Sequence, residues 1–412
     1  MVLPNFKENL KKYARLIAEI GVGTKKGHTV SINISVDQAP LARLITEEAY
    51  KLGAAEVVLL WNDDVITREF LEHTDEDRLV NIPKSKIIQA DELLEKRASR
   101  ISVVSQDPAA LAGVNPERVA SYQAANGKAM IATRIATQAN QVNWTVVGAA
   151  SPGWAKVVFP NLATEEEQVD ALWDEIFKTT RIYDENPVAA WKAHDKKLAD
   201  KASKLNKEQF DALHYTAPGT DIIFGMPKHH LWDGAGTKNV RGEFFMPNMP
   251  TEEVFSAPDR NRVDGVISST KPLSYGGTII DGMKFTFKEG KVVDFSAELG
   301  EEVLAKLLDT DEGARHLGEI ALVPDPSPIS QSGIIFFNTL FDENASNHLA
   351  LGSAYAFSIE GGTEMSEEEL KEAGLNRSNI HVDFMVGSDK MNIDGIRADG
   401  TRVPIFHNGD WA

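Results

Sequence analysis

Hydrophobic and polar residues follow different rhythms in the two halves of this chain. Thr29 to Ile34 is apolar and rich in β-formers, Pro40 to Leu52 spaces its apolar residues three and four apart, and Glu56 to Trp61 returns to β character. A period that runs from two to 3.6 and back predicts a βαβ unit, because parallel strands need a crossover connection. A strand at Ile101 to Val104, a helix around Ala129 to Ala139 and a strand at Val142 to Val147 continue the alternation. The N-terminal part therefore reads as an open α/β sheet covered by helices. Gly21-Val22-Gly23 precedes the first strand instead of following it, so no dinucleotide loop is read there.

From Glu165 to Phe210 the period is helical, carried by Glu166, Val169, Leu172, Trp173 and Ile176 and by a second amphipathic run from Pro187 to Leu205. These helices are expected to join two domains. After His214 the pattern changes to short β-rich pieces, among them Asp221 to Phe224, Gly277 to Ile280, Lys284 to Phe287 and Val292 to Phe295. Asp281-Gly282 and Glu289-Gly290 fall between alternating runs, as hairpin turns do, since a tight turn needs residues that tolerate positive φ. The expected organisation is an α/β N-terminal domain over 1–210, with an open sheet and helices, and a β-rich α+β C-terminal domain over 211–412.

A length of 412 residues fits two domains. The apolar fraction of 42% and charged fraction of 25% match a soluble globular protein. No segment approaches the roughly 20 uninterrupted apolar residues of a membrane span. Lys7, Glu8, Lys11, Lys12 and Arg15 interrupt the first 20 residues, which leaves no apolar core of a signal peptide. A cytoplasmic location is expected, with no membrane partner. The net charge of −18 opposes binding to nucleic acid or anionic lipid. With no cysteine in the chain, disulfides and thiolate sites are excluded, so a metal would be held by Asp, Glu, His and water.

Four segments of the β-rich half carry such donors. In His381-Val382-Asp383-Phe384 a period of two puts His381 and Asp383 on one strand face and Val382 and Phe384 on the other, so one face can bind while the other packs. The alternative is a hydrogen-bonded pair at a sheet edge. Glu343 and His348 lie in a polar stretch followed by Tyr355, which can also be read as a loop with a satisfied histidine. Glu252 and Glu253 are adjacent between Pro250 and Pro258; in an extended segment they point opposite ways, so at most one faces a given site. Glu319 stands in the apolar run Gly318 to Val323, where a carboxylate needs either a cation or a strand end open to water. If the segments converge, Glu253, Glu319, Glu343, His348, His381 and Asp383 form a shell suited to two divalent ions.

The phrase Met249 to Phe255, the Gly318-Glu319 strand, the Glu343, His348 and Tyr355 segment and the His381-x-Asp383 strand occur in one order over nearly the whole chain. Together they resemble the thermophilic metallo-aminopeptidase family, of the aminopeptidase T, aminopeptidase S and PepS type. The resemblance implies a C-terminal catalytic domain with a dinuclear centre of Zn, Co, Mn or Mg, and hydrolysis of N-terminal residues from peptides with a free N-terminus. It also implies homodimerisation. By the same resemblance Glu253, Glu319, Glu343, His348, His381 and Asp383 are metal ligands and Tyr355 is an active-site donor; amide hydrolysis also needs a general base, for which a non-bridging carboxylate, Glu253 or Glu343, is the candidate. A metal-dependent amidohydrolase or esterase on non-peptide substrates, and a non-catalytic metal- or ligand-binding protein, are the alternatives. A serine hydrolase is disfavoured by the lack of G-x-S-x-G.

Overall fold

The computed structural model describes residues 3–275 and 278–412, and Gly277, expected at the head of a strand, lies outside them. The chain forms two compact units, one of residues 1–193 and 236–250, the other of 194–235 and 251–412. The division expected at 210/211 differs from this because it ignores where the helix Pro187–Glu208 packs. Its Leu198, Ala202 and Leu205 belong to the core of the second unit.

The first unit holds a five-stranded sheet in the order Glu56–Asn62, Thr29–Ser35, Ser99–Val104, Trp144–Gly148 and Asn248–Met249, with every pair parallel. The expected βαβ unit is present, with the helix Ala39–Lys51 crossing between the first two strands in sequence. Val30, Ile32 and Ile34 are fully buried in Thr29–Ser35, a strand flanked on both sides, which accounts for its β-branched composition. The helices Phe6–Leu16 and Glu165–Thr179 meet through the rings of Phe6, Tyr13, Trp173 and Phe177. Thr164 and Glu167 start the second of these with a capping box. The helix expected around Ala129 to Ala139 is present as Ile131–Gln138, and a further helix, Pro116–Ala129, precedes it. Met130 breaks them at φ −99° and ψ 16°.

Among the described residues the second unit contains two large antiparallel sheets and a two-stranded one, Leu273–Tyr275 with Thr278–Ile280. The larger has eight strands in the order Lys291–Ser296, Lys284–Lys288, Val263–Ser268, Thr220–Gly225, Ala212–Ala217, Asn392–Ile396, Arg402–His407 and Asp410–Trp411. The smaller has four, Val254–Ser256, Leu317–Leu322, His348–Gly352 and His381–Met385. One hydrophobic cluster draws from both: Tyr215, Phe224, Ile267 and Phe285 from the larger sheet, Ile320, Leu322, Leu349, Leu351 and Phe384 from the smaller. The Phe285 and Phe384 rings lie 5.0 Å apart. Burying one such ring contributes roughly 2 kcal/mol. The small sheet is thus fixed by its core face, and its other face is free to carry polar groups.

The turn at Glu289-Gly290 is a hairpin as expected, with φ of 50° and 82° and Lys288 paired with Lys291. Asp281-Gly282 is not. The strand Thr278–Ile280 pairs with Leu273–Tyr275, whereas Lys284–Lys288 pairs with Val263–Ser268, so the chain changes sheets at that turn.

Candidate metal centre

Directly opposed residues of antiparallel strands share a face. The register of the small sheet sets Glu319, Ala350 and Asp383 in one row, with Phe255, Ala321 and His348 in the next and His381 opposite Gly352. The core face takes Val254, Ile320, Leu349, Leu351 and Phe384, and Val382 packs against it. His381 and Asp383 therefore share one face, as the period of two predicts.

Donor atoms on the site face converge into two groups, each with atoms within 4.8 Å of one another: Glu253, Glu319 and His348, and Glu319, His381 and Asp383. Glu319 belongs to both. His348 Nε2 is 3.2 Å from Glu253 Oε2 and 3.6 Å from Glu319 Oε1, and His381 Nε2 is 3.5 Å from both Glu319 Oε2 and Asp383 Oδ1. Glu319 is 6% exposed, so it does not end its strand in water. Glu343 is buried on the turn Glu343–Ala345 and lies outside both groups. The charges of Asp383, Glu253 and Glu319 nevertheless act on it.

Of the two adjacent glutamates, Glu253 reaches this cluster, while the Glu252 carboxylate stands 3.4 Å from His194 Nε2. The Glu252 N–H donates to Asn344 Oδ1, and Asn344 Nδ2 donates to Glu343 Oε1 at 3.3 Å. This buried amide joins two of the segments that bring donors to the site. Sequence reasoning missed it, as it missed the backbone carbonyls that orient the imidazoles. His348 Nδ1 lies 3.1 Å from the Ser346 carbonyl and His381 Nδ1 2.7 Å from that of Ser353. A carbonyl can only accept, so each Nδ1 carries the proton and each Nε2 faces the carboxylates. Carbonyls leave no mark in a sequence. Tyr355 stacks on Phe357, with centroids 5.1 Å apart, and tilts against the His381 ring at 5.1 Å.

The electrostatics are those of crowded acids. Burial, then the charges of Asp383 and Glu253, push the Glu343 carboxyl well above the usual range, and burial also raises Glu319. Burial disfavours the His348 and His381 cations, but the carboxylates outweigh it. Glu253 and Glu319 hold His348 well above its ordinary value, and Asp383 with Glu319 pushes His381 up to about 10. Burial opposes ionisation of Asp383 too, and His381 overrides it, so its carboxyl is lowered. Tyr355 is raised well above the phenol range, first by burial and then by the carboxylates.

Such a cluster fits divalent cations. Four buried carboxylates cost several kcal/mol each unless opposite charge compensates them, and two divalent ions would match their charge. Asp383 Oδ1 is buried and accepts no hydrogen bond among the described residues, although His381 Nε2 stands 3.5 Å away. Carboxylate oxygen and imidazole nitrogen suit Zn²⁺, Co²⁺ or Mn²⁺. By contrast the group Glu69, Glu72 and His73 is exposed on one helix.

Relatives share this chain from end to end. Aminopeptidase PepS of Streptococcus thermophilus is 59% identical over 411 residues, and aminopeptidase AmpS of Bacillus subtilis (strain 168) 52% over 410, each match covering 100% of both chains. The structure of wild-type AmpT from Thermus thermophilus matches with a TM-score of 0.93 at 43% identity, over 99% of this chain and 100% of that one. A sequence profile described as thermophilic metalloprotease matches residues 6–411. The chain belongs to the thermophilic metalloprotease family.

Proposed function

We propose that this chain is a metal-dependent aminopeptidase that hydrolyses N-terminal residues from peptides, with the cluster on the small sheet as its catalytic centre. Membership of a metalloprotease family whose relatives are named aminopeptidases supports the activity. The observation that carries the site is the pair of donor groups sharing Glu319. Glu253, Glu319 and His348 would hold one divalent ion and Glu319, His381 and Asp383 a second, with Glu343 beside them. The ions are Zn, Co, Mn or Mg. Every proposed ligand lies in the unit of residues 194–235 and 251–412, which we read as the catalytic domain, and 1–193 with 236–250 is the α/β domain.

When bound, two such ions supply Lewis acidity to the scissile carbonyl and to water near neutral pH. His348 and His381 offer neutral Nε2 atoms, in tautomers held by the Ser346 and Ser353 carbonyls. Tyr355 stays protonated at working pH and donates its O–H to the carbonyl oxygen as negative charge develops there. With divalent ions bound beside it, whose charge would favour its ionised form, Glu343 would take a proton from the attacking water and return it to the leaving amine, with Glu253 as the other candidate. The carboxylate-rich wall favours a free N-terminal amine over an acylated one. The assembly we propose is a homodimer and the location cytoplasmic. Among the described residues no helix is long and apolar enough to cross a membrane, and a net charge of −18 opposes binding to nucleic acid.

The deciding experiment compares an aminoacyl chromogenic amide with its N-acetylated form, alongside elemental analysis of the purified protein. Hydrolysis of the free form alone by metal-loaded protein is expected. Equal turnover of the acetylated amide would favour a general amidohydrolase, and no turnover by a metal-loaded protein would favour a binding role.

A further inference from the structure

The donors of the proposed second ion come from two strands, Leu317–Leu322 and His381–Met385, and the strand between them donates nothing to that ion. Ala350 is directly opposed to Glu319 on one side and to Asp383 on the other. Two strand spacings separate the backbones of Glu319 and Asp383 by about 10 Å, yet their ligand atoms, with that of His381, lie within 4.8 Å of one another. The two side chains therefore lean together over the Ala350 methyl. Its strand neighbours Leu349 and Leu351 point the other way and fill the core, to which Ala350 does not belong. Ala350 is fully buried all the same. Ala321 repeats the arrangement in the next row, between Phe255 and His348.

We propose that Ala350 is a positioning residue whose small side chain keeps open the space over which Glu319, His381 and Asp383 converge on a divalent ion. The inference rests on the metal reading of this cluster and adds a determinant that is steric, not chemical. A β-branched side chain at 350 would place methyl groups between the Glu319 and Asp383 carboxylates. The Glu253, Glu319 and His348 group draws His348 from the next row and Glu253 from the residue that leads into Val254–Ser256, so it should be less affected.

The test counts metal, not turnover. Wild-type protein and Ala350→Val are stripped with a chelator, loaded with Zn²⁺, dialysed and analysed for bound zinc, and the stripped proteins are melted side by side. The expected result is two equivalents per chain in the wild type and one in Ala350→Val, with circular dichroism showing both folded. Ala350→Gly, which adds no volume, should keep two. If Ala350→Val does not fold, Ala350→Ser carries the test, with binding of the second equivalent weakened on the order of tenfold. Two equivalents at wild-type affinity in Ala350→Val, or in Ala350→Ser where Val fails, would overturn the proposal. So would equal loss of both equivalents, or loss of one in Ala350→Gly. A wild-type chain that takes up no zinc would instead remove the metal reading itself, and this inference with it.

Discussion

His348 and Glu253 meet at 3.2 Å although Leu317–Leu322 runs between the strand His348–Gly352 and the strand Val254–Ser256 that Glu253 leads into. The contact crosses a strand that supplies Glu319 to both. Replacing Glu253 by Gln keeps the volume and removes a charge, so metal affinity should drop on the order of 100-fold, with activity following. Glu252→Gln faces His194 and should retain its metal. Isothermal titration with Zn²⁺ separates the two, and similar affinities in both variants would contradict the assignment.

Tyr355→Phe preserves the stacking on Phe357 while deleting one hydroxyl. Loss of a donor to the developing oxyanion should lower kcat by about 100-fold with KM nearly constant. Metal content and melting temperature should stay at wild-type values. A variant with unchanged kcat and a lower melting temperature would make the tyrosine a packing residue.

Asp383→Asn and His381→Ala should abolish turnover without unfolding the protein, because Phe384 on the opposite face does the packing. Chelation should silence the wild type in the same way, and Co²⁺, Zn²⁺ or Mn²⁺ should restore it. Activity that survives in protein shown by elemental analysis to be metal-free would refute this.

His230 gives the acid side of the stability curve a testable slope. Its ring is buried, Nε2 has no hydrogen-bond partner among the described residues, and burial holds the imidazole below its ordinary value. A pKa depressed in the folded state stabilises above the unfolded value of about 6.5 and loses that contribution as pH falls, by at most about 1.4 kcal/mol per pH unit. The urea midpoint should therefore fall from pH 7 to pH 5, and less so in His230→Gln. Parallel curves for the two proteins would show that His230 does not titrate in this window. His316, depressed by burial as well, contributes in the same sense in both.

Much of this architecture is legible in the pattern of residues, for physical reasons. The βαβ unit at 29–62 reads directly because its strands and helix keep clean periods against one core. The helix Pro116–Ala129 does not read at all, since it buries no residue fully and so shows no apolar stripe. Asp281-Gly282 looks like any hairpin turn, and only the pairing of its flanking strands in different sheets shows otherwise. In the site, alternation places His381 beside Asp383, whereas the choice between Glu252 and Glu253 depends on which neighbour each segment meets. Asn344, the two serine carbonyls and Ala350 carry no chemical signature of their own. Their roles exist only in the register.

The excursion at 236–250 has a consequence for how this protein is made. The last strand of the parallel sheet, Asn248–Met249, pairs with Trp144–Gly148 across roughly a hundred intervening residues, and the second unit has already begun at 194. A ribosome that has released only the first 210 residues has not yet supplied that strand. The two units are therefore interleaved in the order of synthesis, and a nascent chain must hold an unfinished sheet edge until residue 250 emerges. A fragment ending at 210 should expose that edge and aggregate, where one carrying 1–250 can close it.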